Sequence, residues 1–363
     1  MSFSMFSLLA EANQLGASDI HISTGEKPCF RVHGSIEVQE KYPVLTYDMA
    51  NQLIRQTMDE EKQKIYEEEK DLDYAIEIPD VARFRANTFF TTKGINAVFR
   101  IIPSEIIPFE KLNLPPALQN ILHLKKGLVV VTGPTGSGKS TTLAAIVDLF
   151  NKNRKGHIIT IEDPVEFVHK SQKCIVSHRE VGKHTGSFSN ALRAVTRQDP
   201  NVVLVGEMRD LETISLALTA AETGALVFGT LHTASAAKTI SRIIDVFPAE
   251  EQNQIRSMLA DSIQFIVAQA LLKKKGGGRC AALEILIATD GIRNQVRQGE
   301  VHQIPLSIQG GKQIGMQTID QALIELLEKD QVIYDDASIY AVNHKLIEKF
   351  APLDVQKEIA ETS

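Results

Sequence analysis

The run Gly133-Pro134-Thr135-Gly136-Ser137-Gly138-Lys139-Ser140-Thr141 carries the densest chemistry in the chain. Its spacing is G-x-x-x-x-G-K-S, set between an apolar run, residues 127–132, and a helix-compatible run, residues 141–150. In a strand–loop–helix setting the glycines let successive backbone N–H groups turn inward and cradle phosphates. The positive end of the following helix adds attraction for an anion. Pro134, Thr135, Gly136, Ser137, Gly138, Lys139, Ser140 and Thr141 are therefore the expected nucleotide-binding residues. Lys139 is expected to reach the β- and γ-phosphates of a nucleoside triphosphate such as ATP, and the Ser140 hydroxyl to ligate Mg²⁺. The competing reading, a glycine-rich turn that binds nothing, does not account for the flanks.

Hydrolysis asks for a metal-ordering carboxylate and a group that positions water. Val202-Val203-Leu204-Val205-Gly206-Glu207 is an apolar strand ending in an acid, with glycine where aspartate is common, which puts the metal-side role on Glu207. A second strand ends in Thr160-Ile161-Glu162-Asp163-Pro164-Val165-Glu166. In a parallel sheet both carboxyl ends lie on the phosphate-binding edge. Carboxylates gathered there repel one another unless a cation sits among them. The alternative is a pair of N-capping acids at strand-to-helix turns. The run 225–233 ends near His232, which either contacts phosphate or serves as a structural hydrogen-bonding group. Asp163, Glu166, Glu207 and His232 are expected to converge on one edge. Arg83, Arg85 and Arg100 lie on strands of the first part of the chain. The pattern leaves two roles open for them: stabilising phosphate charge, as an arginine finger does, or serving as solvent-facing strand residues or salt-bridge partners of the acidic helix.

These residues need particular elements to position them. Met5, Leu8, Leu9, Ala12 and Leu15 share one helical face, ended by Gly16. Residues 19–23 and 30–33 alternate like half-buried strands. Residues 48–58 read as a helix and 59–70 as a charged, solvated one. Residues 74–76, 82–89 and 97–102 read as three antiparallel strands. Prolines 103, 108, 115 and 116 then mark a stiff connection. Beyond it, near-continuous apolar runs at 127–131, 157–161, 202–205 and 225–230 suit strands buried on both faces of a mainly parallel sheet. A later strand at 279–287 and helices at 316–328 and 337–350 complete the reading. The expected fold class is α/β, with an α+β domain at 1–102, a linker at 103–116 and a P-loop NTPase domain at 117–363.

Composition bounds the rest. The chain has 363 residues, 43% hydrophobic and 23% charged, ordinary for a globular protein of two domains. No stretch approaches the roughly 18 apolar residues of a membrane span, and no secretory signal opens the chain. Three scattered cysteines, none in a C-x-x-C pair, argue for a reducing compartment and against a zinc site. A net charge of −6 and the lack of Trp argue against a nucleic-acid translocase, which would show basic loops with stacking aromatics. The basic cluster Lys273-Lys274-Lys275 precedes three glycines and reads as a hairpin tip.

Taken together, Gly16-Ala17-Ser18-Asp19-Ile20-His21, the phosphate-binding run, the acidic box 160–166, Val205-Gly206-Glu207-Met208-Arg209-Asp210, the histidine box 223–238 and Gly315-Met316-Gln317-Thr318 resemble type IV pilus retraction ATPases of the PilT type, within the secretion ATPase superfamily. The resemblance covers nearly the whole chain. It implies a PAS-like first domain, a RecA-like second domain and a homohexameric ring that hydrolyses ATP with Mg²⁺ to power pilus retraction. It assigns Glu166 as the general base, Glu207 as the Walker B acid and metal-side ligand, and His232 as the histidine-box residue. It brings Arg85 and Arg100 toward the γ-phosphate. It also implies cytoplasmic docking at the inner-membrane base of the pilus machine, on a platform protein and alongside other pilus ATPases. Ile292-Arg293-Asn294 matches a retraction-associated box, but Gly291 stands where alanine is usual. That keeps an accessory retraction ATPase of the PilU type as the alternative. Extension and secretion ATPases usually carry a four-cysteine zinc insertion, which this chain has no cysteine pairs to build.

Overall fold

The structure is a computed structural model, and it describes residues 3–352 apart from 33, 103 and 104. The expected strand end at His33 and the connecting Pro103 lie outside the described residues. Two compact units emerge: Met1–Glu105 with Glu166–Val168, and Ile106–Val165 with His169–Ser363.

In the first unit, helix Met5–Gln14 is closed at its start by a reciprocal Ser4–Ser7 capping box and buries Met5, Leu8, Leu9 and Ala12. Leu15, expected on that apolar face, follows the last helical turn and is exposed. Strands β1 (Ala17–Ser23), β2 (Cys29–Val32), β3 (Ser35–Val38), β4 (Asp71–Ile78), β5 (Ala82–Thr91) and β6 (Gly94–Ile102) form an antiparallel sheet in the order β3-β2-β1-β6-β5-β4. The period of two along β5 sends Ala82, Phe84, Ala86 and Thr88 into the core and Arg83 and Arg85 to the opposite face. Helices Tyr47–Arg55 and Glu60–Glu69 lie between β3 and β4. The second, capped by Asp59, buries only Tyr66, as its charge run predicts.

The second unit is built on strands β7 (Gly127–Thr132), β8 (Gly156–Glu162), β9 (Cys174–Glu180), β10 (Val202–Val205), β11 (Leu226–Leu231), β12 (Ile263–Lys273) and β13 (Arg279–Ile287). Their order is β13-β12-β7-β11-β10-β8-β9, parallel throughout except for the β12–β13 hairpin. Lys274, Lys275 and the triple glycine form the turn of that hairpin, as expected. β7, β10 and β11 are buried at every position. Leu128 and Val130 belong to one apolar cluster and Val129 and Val131 to another, so the sheet is covered on both faces. The chain is thus α/β, with a mainly parallel sheet in its larger unit.

Several elements depart from the sequence reading. β9 and β12 join the sheet as additional strands. β9 is an edge strand rich in polar residues, and β12 follows helix Gln252–Ser262 with no turn residue to announce it. The expected helix at 316–328 begins only at Ile319, because Gln317 pairs with Ile285 and Thr318 caps the helix through Gln321. Residues 337–350 do not form one helix. A short helix, Tyr334–Ser338, is followed by single 3₁₀ turns, and the Asp320 carboxylate accepts the backbone N–H groups of Val342 and Asn343 at 2.8 and 3.1 Å. Those donors therefore find partners outside a helical ladder. Among the described residues no helix is long and apolar enough to cross a membrane.

Candidate active site

β7 feeds residues 133–138 into helix Lys139–Asn153, the strand–loop–helix arrangement the spacing predicts. Gly133, Gly136 and Gly138 have φ of 145°, 81° and 86°, a region in which side chains are strained. At Gly133 a Cβ would stand 2.3 Å from the Gln269 carbonyl oxygen, and at Gly138 it would stand 2.8 Å from Gln269 Nε2. The loop is glycine-rich partly because β12 presses against it.

Like Arg209 beside Glu207, Gln269 is a residue of the site that the sequence reading missed. It is 5% exposed; its Nε2 donates to the Ser137 carbonyl at 2.6 Å, and its Oε1 accepts from Thr142 Oγ1 at 2.9 Å. One side chain thus ties the phosphate loop to the first turn of its helix. A lone amide in the apolar run 265–272 was the available signal. Lys139 is buried and donates to the Gly133 and Pro134 carbonyls at 2.8 and 3.0 Å, which folds its ammonium back over the loop. Ser137 Oγ is buried with no hydrogen-bond partner among the described residues. A buried hydroxyl, a buried ammonium and three glycines on one turn fit the polyanionic end of a nucleotide.

The carboxyl ends of β8, β10, β11 and β7 lie side by side on this edge. There Thr132 Oγ1 lies 2.8 Å from Thr233 Oγ1 and accepts the Thr233 N–H at 2.9 Å, which ties β7 to the segment after β11. Glu207 follows β10 and His232 follows β11, and His232 Nε2 lies 3.1 Å from Glu207 Oε1. Arg209 Nε lies 2.5 Å from the same oxygen. Burial raises the Glu207 carboxyl, but the Arg209 guanidinium, His232 and the Lys139 ammonium outweigh it and hold the group below the usual carboxylate range. Glu207 is therefore an anion embedded in cations beside the phosphate loop. In return the Glu207 hydrogen bond raises Arg209 above its ordinary value, with Asp163 adding to the effect.

The glycine before Glu207 has a steric cause. Gly206 N–H donates to the Ile161 carbonyl at 2.8 Å, and a Cβ at 206 would stand 3.2 Å from Glu162 Cα. The close approach of β10 to β8 leaves little room for a side chain at 206 and moves the acid to 207. Glu162 itself is buried at the end of β8, while Asp163 and Glu166 are exposed. Of the four residues expected to converge, the structure brings together Glu207 and His232, with Asp163 within electrostatic reach of Arg209, and it adds Arg209 and Lys139 around Glu207. Among the described residues no group of three or more His, Cys, Asp or Glu is arranged to hold a metal by protein ligands alone.

Arg85 and Arg100 lie in the first unit, directly opposite each other across β5 and β6. Arg100 Nε donates to Asp19 Oδ1 at 2.9 Å, and Arg85 Nε lies 3.7 Å from Asp73. Both side chains nevertheless remain exposed, Arg100 at 63% and Arg85 at 45%. Arg83 is more enclosed, 3.8 Å from Glu77.

Residues 4–345 match the model of the type II/IV secretion system protein family. The chain belongs to that family. It is a nucleotide-binding ATPase of that family. It is 51% identical, over 91% of its length and 96% of the relative's, to the type IV pilus retraction ATPase PilT of Pseudomonas aeruginosa. It is 38% identical, over 90% and 85%, to the type IV pilus ATPase PilU of the same organism. A crystal structure of the pilus retraction motor PilT with bound ADP superposes with a TM-score of 0.88 at 44% identity, covering 96% of this chain and all of the other.

Proposed function

We propose that this family member is a type IV pilus retraction motor, working as a homohexameric ring on the cytoplasmic side of the inner membrane. The observation that carries the reading is the near-complete match, at 51% identity, to a protein named as a retraction ATPase. The 38% match to the accessory-type PilU is weaker over a similar span. In this reading residues 134–141 hold ATP, with Lys139 on the β- and γ-phosphates. Mg²⁺ would be held largely by those phosphates, with Ser140 and Glu207 on the protein side, and would neutralise charge on the transferred group. Glu207, kept ionised by its cationic neighbours, suits that role. His232, bonded to Glu207, is placed to respond to a change at the metal side. Glu166 is the general base that orients water, and Arg85 and Arg100 are the cations that approach the γ-phosphate. The domain limits 1–102, 103–116 and 117–363 stand as part of this reading, with the six-stranded antiparallel unit read as PAS-like. A platform protein and other pilus ATPases are the expected partners.

The test is genetic. The gene is deleted and complemented with wild type or Lys139→Ala, and surface pili and twitching are scored. Excess pili and lost twitching in both the null and Lys139→Ala strains are expected. Bald cells would mean an extension motor, and normal pili with weakened motility an accessory one; either result refutes the proposal.

A further inference from the structure

The connection between β8 and β9 is unusual for parallel strands, which are generally joined through a helix. Residues 163–173 contain no helix or strand. Their backbone N–H groups have no ladder to satisfy them, and those near the core need other acceptors. Two such groups find them on β9. The Val165 N–H donates to Glu180 Oε2 at 3.2 Å, and the His169 N–H donates to His178 Nε2 at 3.0 Å. Glu180 is 3% exposed and is also paired with Lys183 at 2.5 Å. His178 stacks on the His169 ring, with centroids 5.9 Å apart. Its Nδ1 lies 2.8 Å from Thr160 Oγ1, and Thr160 is the residue directly opposite it on β8. Nε2 also lies 3.3 Å from the His169 carbonyl oxygen; the shorter contact, from the His169 N–H, assigns Nε2 as acceptor and the ring proton to Nδ1, where it donates to the threonine.

Residues 178 and 180 are two apart on a strand and share a face. Val165 and His169 are the residues of the second unit on either side of 166–168. We infer that the edge strand β9 positions Glu166, with Glu180 and His178 holding the chain immediately before and shortly after it. The inference rests on the reading of Glu166 as the general base. Both are positioning residues, because they touch the backbone of the loop and act through the carboxylate it carries. A carboxylate that must orient a water tolerates little displacement, and a misplacement of about 1 Å can cost on the order of a hundredfold in rate.

The test uses the full-length protein, with steady-state ATP hydrolysis, affinity for a fluorescent ADP analogue and thermal melting measured on each variant. Glu180→Ala and His178→Ala should each lower kcat about tenfold or more, with KM and ADP-analogue affinity within about twofold of wild type. Glu180→Gln should recover kcat to within about threefold, since its amide oxygen still accepts the Val165 N–H. In a Glu166→Gln background, Glu180→Ala should cost nothing further, as expected for residues acting as one unit. Unchanged kcat in both alanine variants overturns the inference. So does a parallel loss of kcat, affinity and melting temperature, or a Glu180→Gln variant as slow as Glu180→Ala. If Glu166→Gln itself hydrolyses ATP normally, the reading of the base has failed. If Glu166→Gln is inactive while both alanine variants are normal, only the positioning role has failed.

Discussion

Replacing Gln269 with Leu isolates what one buried amide does for the phosphate loop. Leucine matches the bulk and the apolar surroundings of β12, so the change is chiefly the loss of two hydrogen bonds. It strands the Ser137 carbonyl and the Thr142 hydroxyl, whose residues are 3% and 2% exposed. Each buried group left unpaired costs roughly 1–3 kcal/mol, or about 2–6 kcal/mol together, a large part of a typical domain's stability. The loss falls on the hinge between loop and helix, so nucleotide affinity should fall as well, by about tenfold for every 1.4 kcal/mol of disrupted geometry. The assay is denaturant unfolding, followed at the transition that added ATP displaces, alongside titration with a fluorescent ADP analogue. Gln269→Glu is the companion variant. Its carboxylate still accepts from Thr142 but offers no donor to the Ser137 carbonyl, and it should be destabilised too. A Gln269→Leu protein with the wild-type midpoint and wild-type affinity would refute the reasoning.

Three further outcomes are expected. Gly206→Asp, which restores the acid common at that position, should lower stability by about 1–3 kcal/mol because its Cβ meets the backbone of Glu162; a melting temperature at or above wild type would refute this. Arg209→Ala removes the cation that most strongly holds Glu207 down, so the acidic limb of the kcat/KM profile should move to higher pH, and an unmoved limb would detach Glu207 from catalysis. Burial, with His178 beside it, pushes His169 down to about 4, so the unfolded chain takes up a proton below its ordinary value of 6.5 while the folded chain does not. Stability should therefore be unaffected above that value and fall as pH drops toward 4, by about 2 kcal/mol at pH 5, and His169→Gln should flatten that slope in urea unfolding.

The phosphate loop was legible because its chemistry is local. A glycine spacing, a lysine and two flanking patterns announce the turn within nine residues, although the distant Gln269 helps to hold it. The acids were legible to the level of the strand, since apolar runs ending in carboxylates lie on one edge of any parallel sheet. The pairing of Glu207 with His232 was not, because it depends on β10 and β11 being neighbours, an order that periodicity does not encode. β12 was harder still. It inserts beside β7, remote in sequence, and only there does Gln269 acquire its two partners. The same holds at residues 178 and 180, whose strand is polar enough to read as loop. Their acceptors make sense only against the irregular segment that follows β8. Gln269, His178 and Glu180 are thus one kind of thing: side chains on late strands that satisfy the backbone of early loops. Their cause lies in strand order, and each can be tested by removing an acceptor or donor while leaving the motif it supports intact.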